Sequence, residues 1–155
     1  MRAVVQRVSR AAVRVDGVVV GSIGPGLCVL LSVAPGDEDE ISRRLAARIA
    51  GLRIFPDDAG RMNLDVASAG GAVLVVSQFT LHSNTSRGHR PSFIGAADPG
   101  QAERLYEVVI DAFRSLGLEV AGGSFGAHME VELVNDGPVT LVLTSGEEPW
   151  PADAG

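Results

Sequence analysis

Two short segments of this 155-residue chain carry polar chemistry where the surrounding sequence does not call for it. The first is Ser77-Gln78-Phe79-Thr80-Leu81, which ends the apolar run Val73 to Val76. Two hydroxyls and an amide gather at the end of a hydrophobic strand, where backbone N–H groups leave the ladder and become available to stabilise an oxyanion. A polar strand end with ordinary hydrogen bonds is the plainer alternative. The second is Asn135-Asp136-Gly137-Pro138-Val139-Thr140, lying between two apolar strands. Asn-Asp-Gly-Pro reads first as a turn. It also allows a cis peptide, because an X-Pro bond adopts that form at a cost of only about 1 kcal/mol. Two successive carbonyls turned the same way would form a receptor for an ammonium group.

Other chemistries have little support. No Gly-rich dinucleotide or Walker-type loop and no GxSxG elbow is present. His82, His89 and His128 show no metal-binding spacing, and the single cysteine, Cys28, offers neither a zinc framework nor an internal disulfide. Cys28 lies in Leu27-Cys28-Val29-Leu30-Leu31 and is expected to be buried filler. Neither a cofactor nor a metal is expected, so catalysis would rest on backbone dipoles, hydroxyls or the substrate itself.

These segments must be positioned by a scaffold whose elements are largely readable. Ala12 to Val15 and Val18 to Ser22 flank Asp16-Gly17, a two-residue hairpin signal. Leu27 to Val33 and Val73 to Thr80 read as buried strands. Leu118 to Ala121, Met129 to Asn135 and Val139 to Thr144 complete the set. One helix is expected to open at Asp37, with Asp37 and Glu40 as a capping-box-like pair and Ile41, Leu45, Ile49 and Leu52 on its apolar face. A second opens at Asp98-Pro99, turns Leu105, Tyr106, Val109, Ile110, Phe113 and Leu116 inward, and ends at Gly117. Residues 82–98 form a long polar loop. Two helices among about eight strands predict an α+β single domain: a mostly antiparallel, curved or barrel-like sheet with both helices packed on it. The domain spans 1–145, and 146–155 form a flexible tail with Trp150 docked at most.

The net charge of -6 opposes a broad nucleic-acid-binding surface. All 13 basic residues are Arg, however, and Arg2, Arg7, Arg10 and Arg14 crowd the N-terminus while Arg87 and Arg90 share one loop. A local basic face remains compatible with the acidic total. With no apolar run long enough to span a membrane and no leader-like segment, a cytoplasmic location is expected.

Taken together, Ser77 to Leu81 and the Asn-x-Gly-Pro-x-Thr segment at 135–140 resemble the paired signatures of the bacterial and eukaryotic D-aminoacyl-tRNA deacylases. The start of the chain through Ala11, Leu52 to Leu64, Arg87 to Phe93, and Phe125 to Thr140 are similar to that family in the same order. The resemblance implies hydrolysis of the ester of D-aminoacyl-tRNA or mischarged glycyl-tRNA by a homodimer with active sites at the subunit interface. It implies that Gly137-Pro138 reaches into the partner's pocket, meets the amino group and excludes L-side chains, with Arg7 holding this element. Ser77, Gln78, Phe79 and Thr80 would surround the scissile ester. Phe125 and Met129 would lie near the terminal adenosine, and Asn135 would stand among the substrate-binding residues. The loop Asn84 to Arg87 departs from the family pattern, as do His82 and His89, which receive no role. The ester is cleaved either by water aided by the ribose 2'-hydroxyl or by Thr80 acting as nucleophile. No base for Thr80 is identifiable in the sequence, which favours the first. A non-catalytic RNA-binding module and an amidase acting on free peptides are the rival readings.

Overall fold

The computed structural model describes residues 1–86 and 88–145. The expectations for Arg87 and for the tail with Trp150 lie outside the described residues. In chain order the elements are β1 (Arg2–Val15), β2 (Val18–Ile23), β3 (Gly26–Ser32), α1 (Asp39–Ala50), β4 (Phe55–Pro56), β5 (Met62–Leu64), β6 (Ala72–Ser77), a 3-10 turn (Phe79–His82), α2 (Pro99–Ser115), β7 (Val120–Gly122) and β8 (Glu130–Thr144).

The 14-residue strand β1 organises the sheet. Along one edge it pairs antiparallel with β3 over Arg2 to Val8 and then with β2 over Ala11 to Val15. Along the other edge it pairs antiparallel with β8 from Arg2↔Thr144 to Arg14↔Glu130. The β1–β2 hairpin closes as its sequence demands. Asp16 (φ 50°) and Gly17 (φ 77°) both take the left-handed conformation that a two-residue turn requires.

Beyond β3 the ladder becomes parallel: β3 pairs with β6, and β6 with β7. The two helices are the crossovers for these two parallel pairings. Three antiparallel and two parallel pairings thus make the α+β sheet, which curls until β2 approaches β7. A Cβ on Gly21 would lie 2.2 Å from the Gly122 carbonyl oxygen, so only glycine permits that closure. β4 and β5 form a separate two-stranded sheet.

The main core lies between the sheet and the helices. Val5, Leu27, Val29, Val73 and Val75 meet Leu45, Ile49, Leu105, Val109 and Phe113, all of them buried. The start of α1 differs from expectation. Asp37 does not cap it, because its carboxylate accepts from the Ala34 N–H at 2.6 Å and from the Met1 ammonium at 2.6 Å. The helix therefore begins two residues later, with Glu38 at the N-cap and no side-chain capping bond. Asp98 does cap α2, accepting from the N–H groups of Gly100 and Gln101. Leu116 follows the last helical residue and is half exposed, so Phe113 completes the apolar stripe and Leu118 takes the next buried position.

Cys28 is fully buried, and desolvation pushes its thiol up to about 11. The thiolate is the reactive species. Ellman's reagent is therefore expected to leave the native protein unlabelled near pH 8 and to label one thiol per chain once guanidinium unfolds it. Rapid labelling of the native state would contradict the burial.

Candidate functional site

The parallel strands β3 and β6 end together, Leu31 opposite Ser77, and the chain after β6 turns sharply. The Gln78 N–H donates to the Leu31 carbonyl at 2.7 Å, which fixes the exit. Phe79 to His82 then form the 3-10 turn. Its first N–H groups, those of Phe79 and Thr80, have no acceptor inside the turn. The Gln78 side-chain Nε2 donates to Thr80 Oγ1 at 2.5 Å, so this hydroxyl is engaged by an amide donor.

A cavity of about 520 Å³ opens at this carboxyl end of the strands, where ligands settle in parallel sheets. Ser77, Gln78 and Phe79 form one side, and Phe125, His128 and Met129 form another. Phe79 packs edge-to-face on Phe93, with ring centroids 5.1 Å apart at 74°. Tyr106 and Phe125 face each other at 5.9 Å. A mostly apolar cavity of this size, with a few polar groups at one side, suits a small-molecule ligand or part of a larger one.

The floor is braced by Tyr106, a residue that sequence reasoning counted only as core. Its hydroxyl donates to the Val75 carbonyl at 2.9 Å and accepts from the Gly123 N–H at 3.2 Å, tying β6 to the segment after β7. Burial pushes its phenol up to about 12, so it remains a neutral donor. The available signal was a lone tyrosine on an apolar helix face, since a buried phenol needs a partner. Gly122 and Gly123 permit this packing: a Cβ on Gly122 would stand 2.8 Å from the Tyr106 hydroxyl, and one on Gly123 2.7 Å from the Met129 sulfur.

The second polar segment lies elsewhere on the chain. Between Gln6↔Thr140 and Val8↔Asn135 the β1–β8 register slips, so that Asp136 to Val139 bulge outward opposite Arg7. The segment is a bulge within one long strand rather than a turn between two. The Gly137–Pro138 peptide is cis, and both residues are exposed. Arg7 is buried beneath the bulge. Its Nε donates to the Asp136 carbonyl at 2.8 Å and its Nη1 to the Ile54 carbonyl at 2.5 Å. Asn135 closes the base: its Oδ1 accepts from the Val139 N–H at 2.7 Å and its Nδ2 donates to Thr140 Oγ1 at 2.9 Å. In this chain Asn135 is therefore a staple of the bulge.

Of the residues singled out in the sequence, the cavity gathers Ser77, Gln78, Phe79, Phe125 and Met129. Thr80 stands beside them, hydrogen-bonded to Gln78. Gly137 and Pro138 face outward, with Arg7 and Asn135 bracing them from beneath, and none of the four lines this cavity. The N-terminal arginines are engaged differently. Arg7 is turned inward, Arg14 pairs with Glu132, and Arg2 donates to the Leu81 carbonyl.

Comparison with known proteins gives the arrangement a context. Residues 4–144 match the family model described as D-Tyr-tRNA(Tyr) deacylase. A D-aminoacyl-tRNA deacylase from Deinococcus radiodurans is 62% identical over 143 residues, covering 92% of this chain and 99% of its own. One from Anaeromyxobacter dehalogenans is 60% identical over 145 residues, covering 94% and 97%. Among solved structures, one described as the c-Myc DNA Unwinding Element Binding Protein superposes with a TM-score of 0.87 at 39% identity, covering 94% of this chain and 99% of its own.

Proposed function

The chain belongs to the D-Tyr-tRNA(Tyr) deacylase family, and from that premise we propose that it hydrolyses the ester of D-aminoacyl-tRNA as a homodimer whose sites are completed in trans. The observation that carries this reading is the separation of the two signature segments. The cavity lies against Ser77, Gln78 and Phe79, while the rigidly braced Gly137–Pro138 bulge faces outward and lines no part of it. A second copy supplies what the first lacks. Exposed Val134 and Val142 flank the bulge on β8, and apolar residues at such positions favour being covered.

The terminal adenosine enters the apolar cavity between Phe125 and Met129, and the aminoacyl ester lies against Ser77 to Thr80. The N–H groups of Phe79 and Thr80 receive the developing oxyanion. A water positioned by the ribose 2'-hydroxyl attacks the carbonyl carbon, and as the acyl C–O bond to the ribose breaks, a proton from that water passes to the departing ribose oxygen, releasing the amino acid and a free ribose hydroxyl. The partner's bulge presents carbonyls to the ammonium and a wall to any L-side chain, so selectivity comes from exclusion. Glycine, lacking a side chain, passes. Translation quality control in the cytoplasm follows from such an activity.

Thr80 does not act as nucleophile on this reading. Its hydroxyl is engaged by the Gln78 amide, and no ionisable base is hydrogen-bonded to it among the described residues. Thr80→Ala is expected to retain substantial single-turnover activity, whereas tRNA ending in 2'-deoxyadenosine is expected to be hydrolysed very poorly. A covalent acyl-enzyme trapped on Thr80, together with normal hydrolysis of the deoxy substrate, would reverse the assignment. Catalysis and binding without catalysis are separated by the same assay, since a pure binder leaves D-aminoacyl-tRNA intact.

A further inference from the structure

His82 closes the 3-10 turn that begins at Phe79, and its ring is aimed back into the fold. His82 Nδ1 lies 2.5 Å from Ser32 Oγ. Ser32 is the last residue of β3 and is 1% exposed. The same hydroxyl also reaches the Phe79 carbonyl oxygen at 3.4 Å. One buried side chain therefore spans the turn, touching its first residue through the backbone and its last through the imidazole. Because a serine hydroxyl carries one proton, simultaneous use of both contacts fixes its direction. His82 Nδ1–H donates to Ser32 Oγ, and Ser32 O–H donates to the Phe79 carbonyl.

The end of β3 is the common anchor for the surrounding segments. The Leu31 carbonyl accepts from the Gln78 N–H just before the turn, and the Val33 carbonyl accepts from the Ala97 N–H at 2.9 Å at the end of the long loop. Leu31 and Val33 themselves line the cavity. Between them, Ser32 is the one whose side chain is hydrogen-bonded to the turn. The backbone ties fix where the turn starts and where the loop ends; the Ser32–His82 contact fixes how the turn is rotated.

We propose that Ser32 and His82 form a hydrogen-bonded brace that sets the orientation of the Phe79–His82 turn, making His82 a positioning residue for deacylation. The proposal rests on the reading that this turn carries the N–H groups that receive the oxyanion. His82 touches no substrate on this account; it acts through Ser32. The charged groups around its ring are Arg2 of β1 and the N-terminal ammonium, opposed by Asp37. Desolvation, together with the two positive groups, holds the imidazole below its ordinary range. The ring is accordingly neutral at neutral pH, and the brace is an ordinary hydrogen-bond chain between uncharged partners.

The test combines steady-state kinetics with amide hydrogen exchange on the intact protein. His82→Ala and Ser32→Ala are each expected to lower kcat roughly three- to tenfold with KM little changed, the range expected for one lost hydrogen bond. The double variant should lose no more than either single one, because both substitutions remove the same chain of bonds. His82→Asn, whose amide reaches the place of Nδ1, should recover most of the rate, whereas His82→Gln, which reaches the place of Nε2, should not. In both alanine variants the amides of Leu81 and Ser83, protected by bonds to Gln78 and Thr80, should exchange faster. Unchanged exchange overturns the brace itself. Faster exchange with unchanged kcat overturns the catalytic reading of the turn, and with it the positioning role, while leaving Ser32–His82 as a structural tie. Additive losses in the double variant also refute the proposal, since they mean the two side chains act separately.

Discussion

Gly137→Ala is expected to lower kcat/KM for D-aminoacyl-tRNA by at least roughly a hundredfold, the scale on which a displacement of about 1 Å acts in a site built on positioning. The reason lies in the bulge, not in the cavity. Gly137 has φ +150°, a conformation that L-residues rarely adopt. An added Cβ would stand 2.6 Å from Val139 Cγ2 and 2.7 Å from the Val139 nitrogen, with Arg7 Nη2 at 3.4 Å. The Val139 N–H is the group that Asn135 Oδ1 holds at 2.7 Å. The methyl therefore pushes directly on the staple, and Arg7 beneath the bulge leaves no room for retreat. Stability should fall only modestly, by about 1–3 kcal/mol, because the strain sits at an exposed position. Thermal unfolding and sedimentation are expected to report a folded protein of unchanged assembly state. Near-normal kcat/KM in the variant would mean that the bulge is not part of the catalytic site.

Mixing two crippled variants is expected to restore activity. If the bulge of one copy completes the cavity of the other, Gly137→Ala damages what a subunit gives, and Gln78→Ala damages what it receives. In a heterodimer of the two, both faults fall in the same composite site, and the second site combines an intact cavity with an intact bulge. Random exchange makes about half the dimers hetero, so roughly a quarter of all sites should be sound. The experiment is to unfold and refold the two proteins together and compare the rate with the mean of the separately refolded parents. A mixture that never exceeds that mean, despite heterodimers shown by mass spectrometry, would place each site within a single chain.

Local turn chemistry was the most legible part of the fold. Asp16-Gly17 and Asp98-Pro99 each specify their geometry without help from distant residues, and both appear where the sequence puts them. Asp37 failed as a cap because its carboxylate is taken by the Ala34 N–H three residues back and by the distant Met1 ammonium. Sequence spacing contains no record of such competition. Asn135 shows how much of a residue's work spacing leaves unsaid: its amide closes the bulge through bonds to Val139 and Thr140, a role the sequence did not reveal. The two parallel pairings were hidden for another reason. Apolar runs such as Ala72 to Val76 look alike whether their neighbours run parallel or antiparallel, and both helices turned out to be crossovers. The segment Ser77 to Thr80 was visible because polar residues at the end of an apolar strand break a period. His82 was noticed but given no role, and its pairing with Ser32 broke no period and appeared only once the turn brought the two together.

The position of β1 has a bearing on how the chain reaches this state. Its full length must pair with β8, joining residues as remote in sequence as Arg2 and Thr144. Loops of that span close at an entropic cost before any contact compensates, which slows folding towards the millisecond-to-second range. On the ribosome, β1 emerges first and its outer edge waits for the last strand to be made. Until then it presents a 14-residue row of unpaired N–H and C=O groups, the kind of edge that recruits other strands. Arg2, Arg7, Arg10 and Arg14 are spread along this strand, and their mutual repulsion would discourage two nascent chains from joining there. Replacing exposed Arg10 with Val should leave the finished fold nearly as stable while raising aggregation during refolding, measured by light scattering; unchanged scattering would remove the arginines from this protective role.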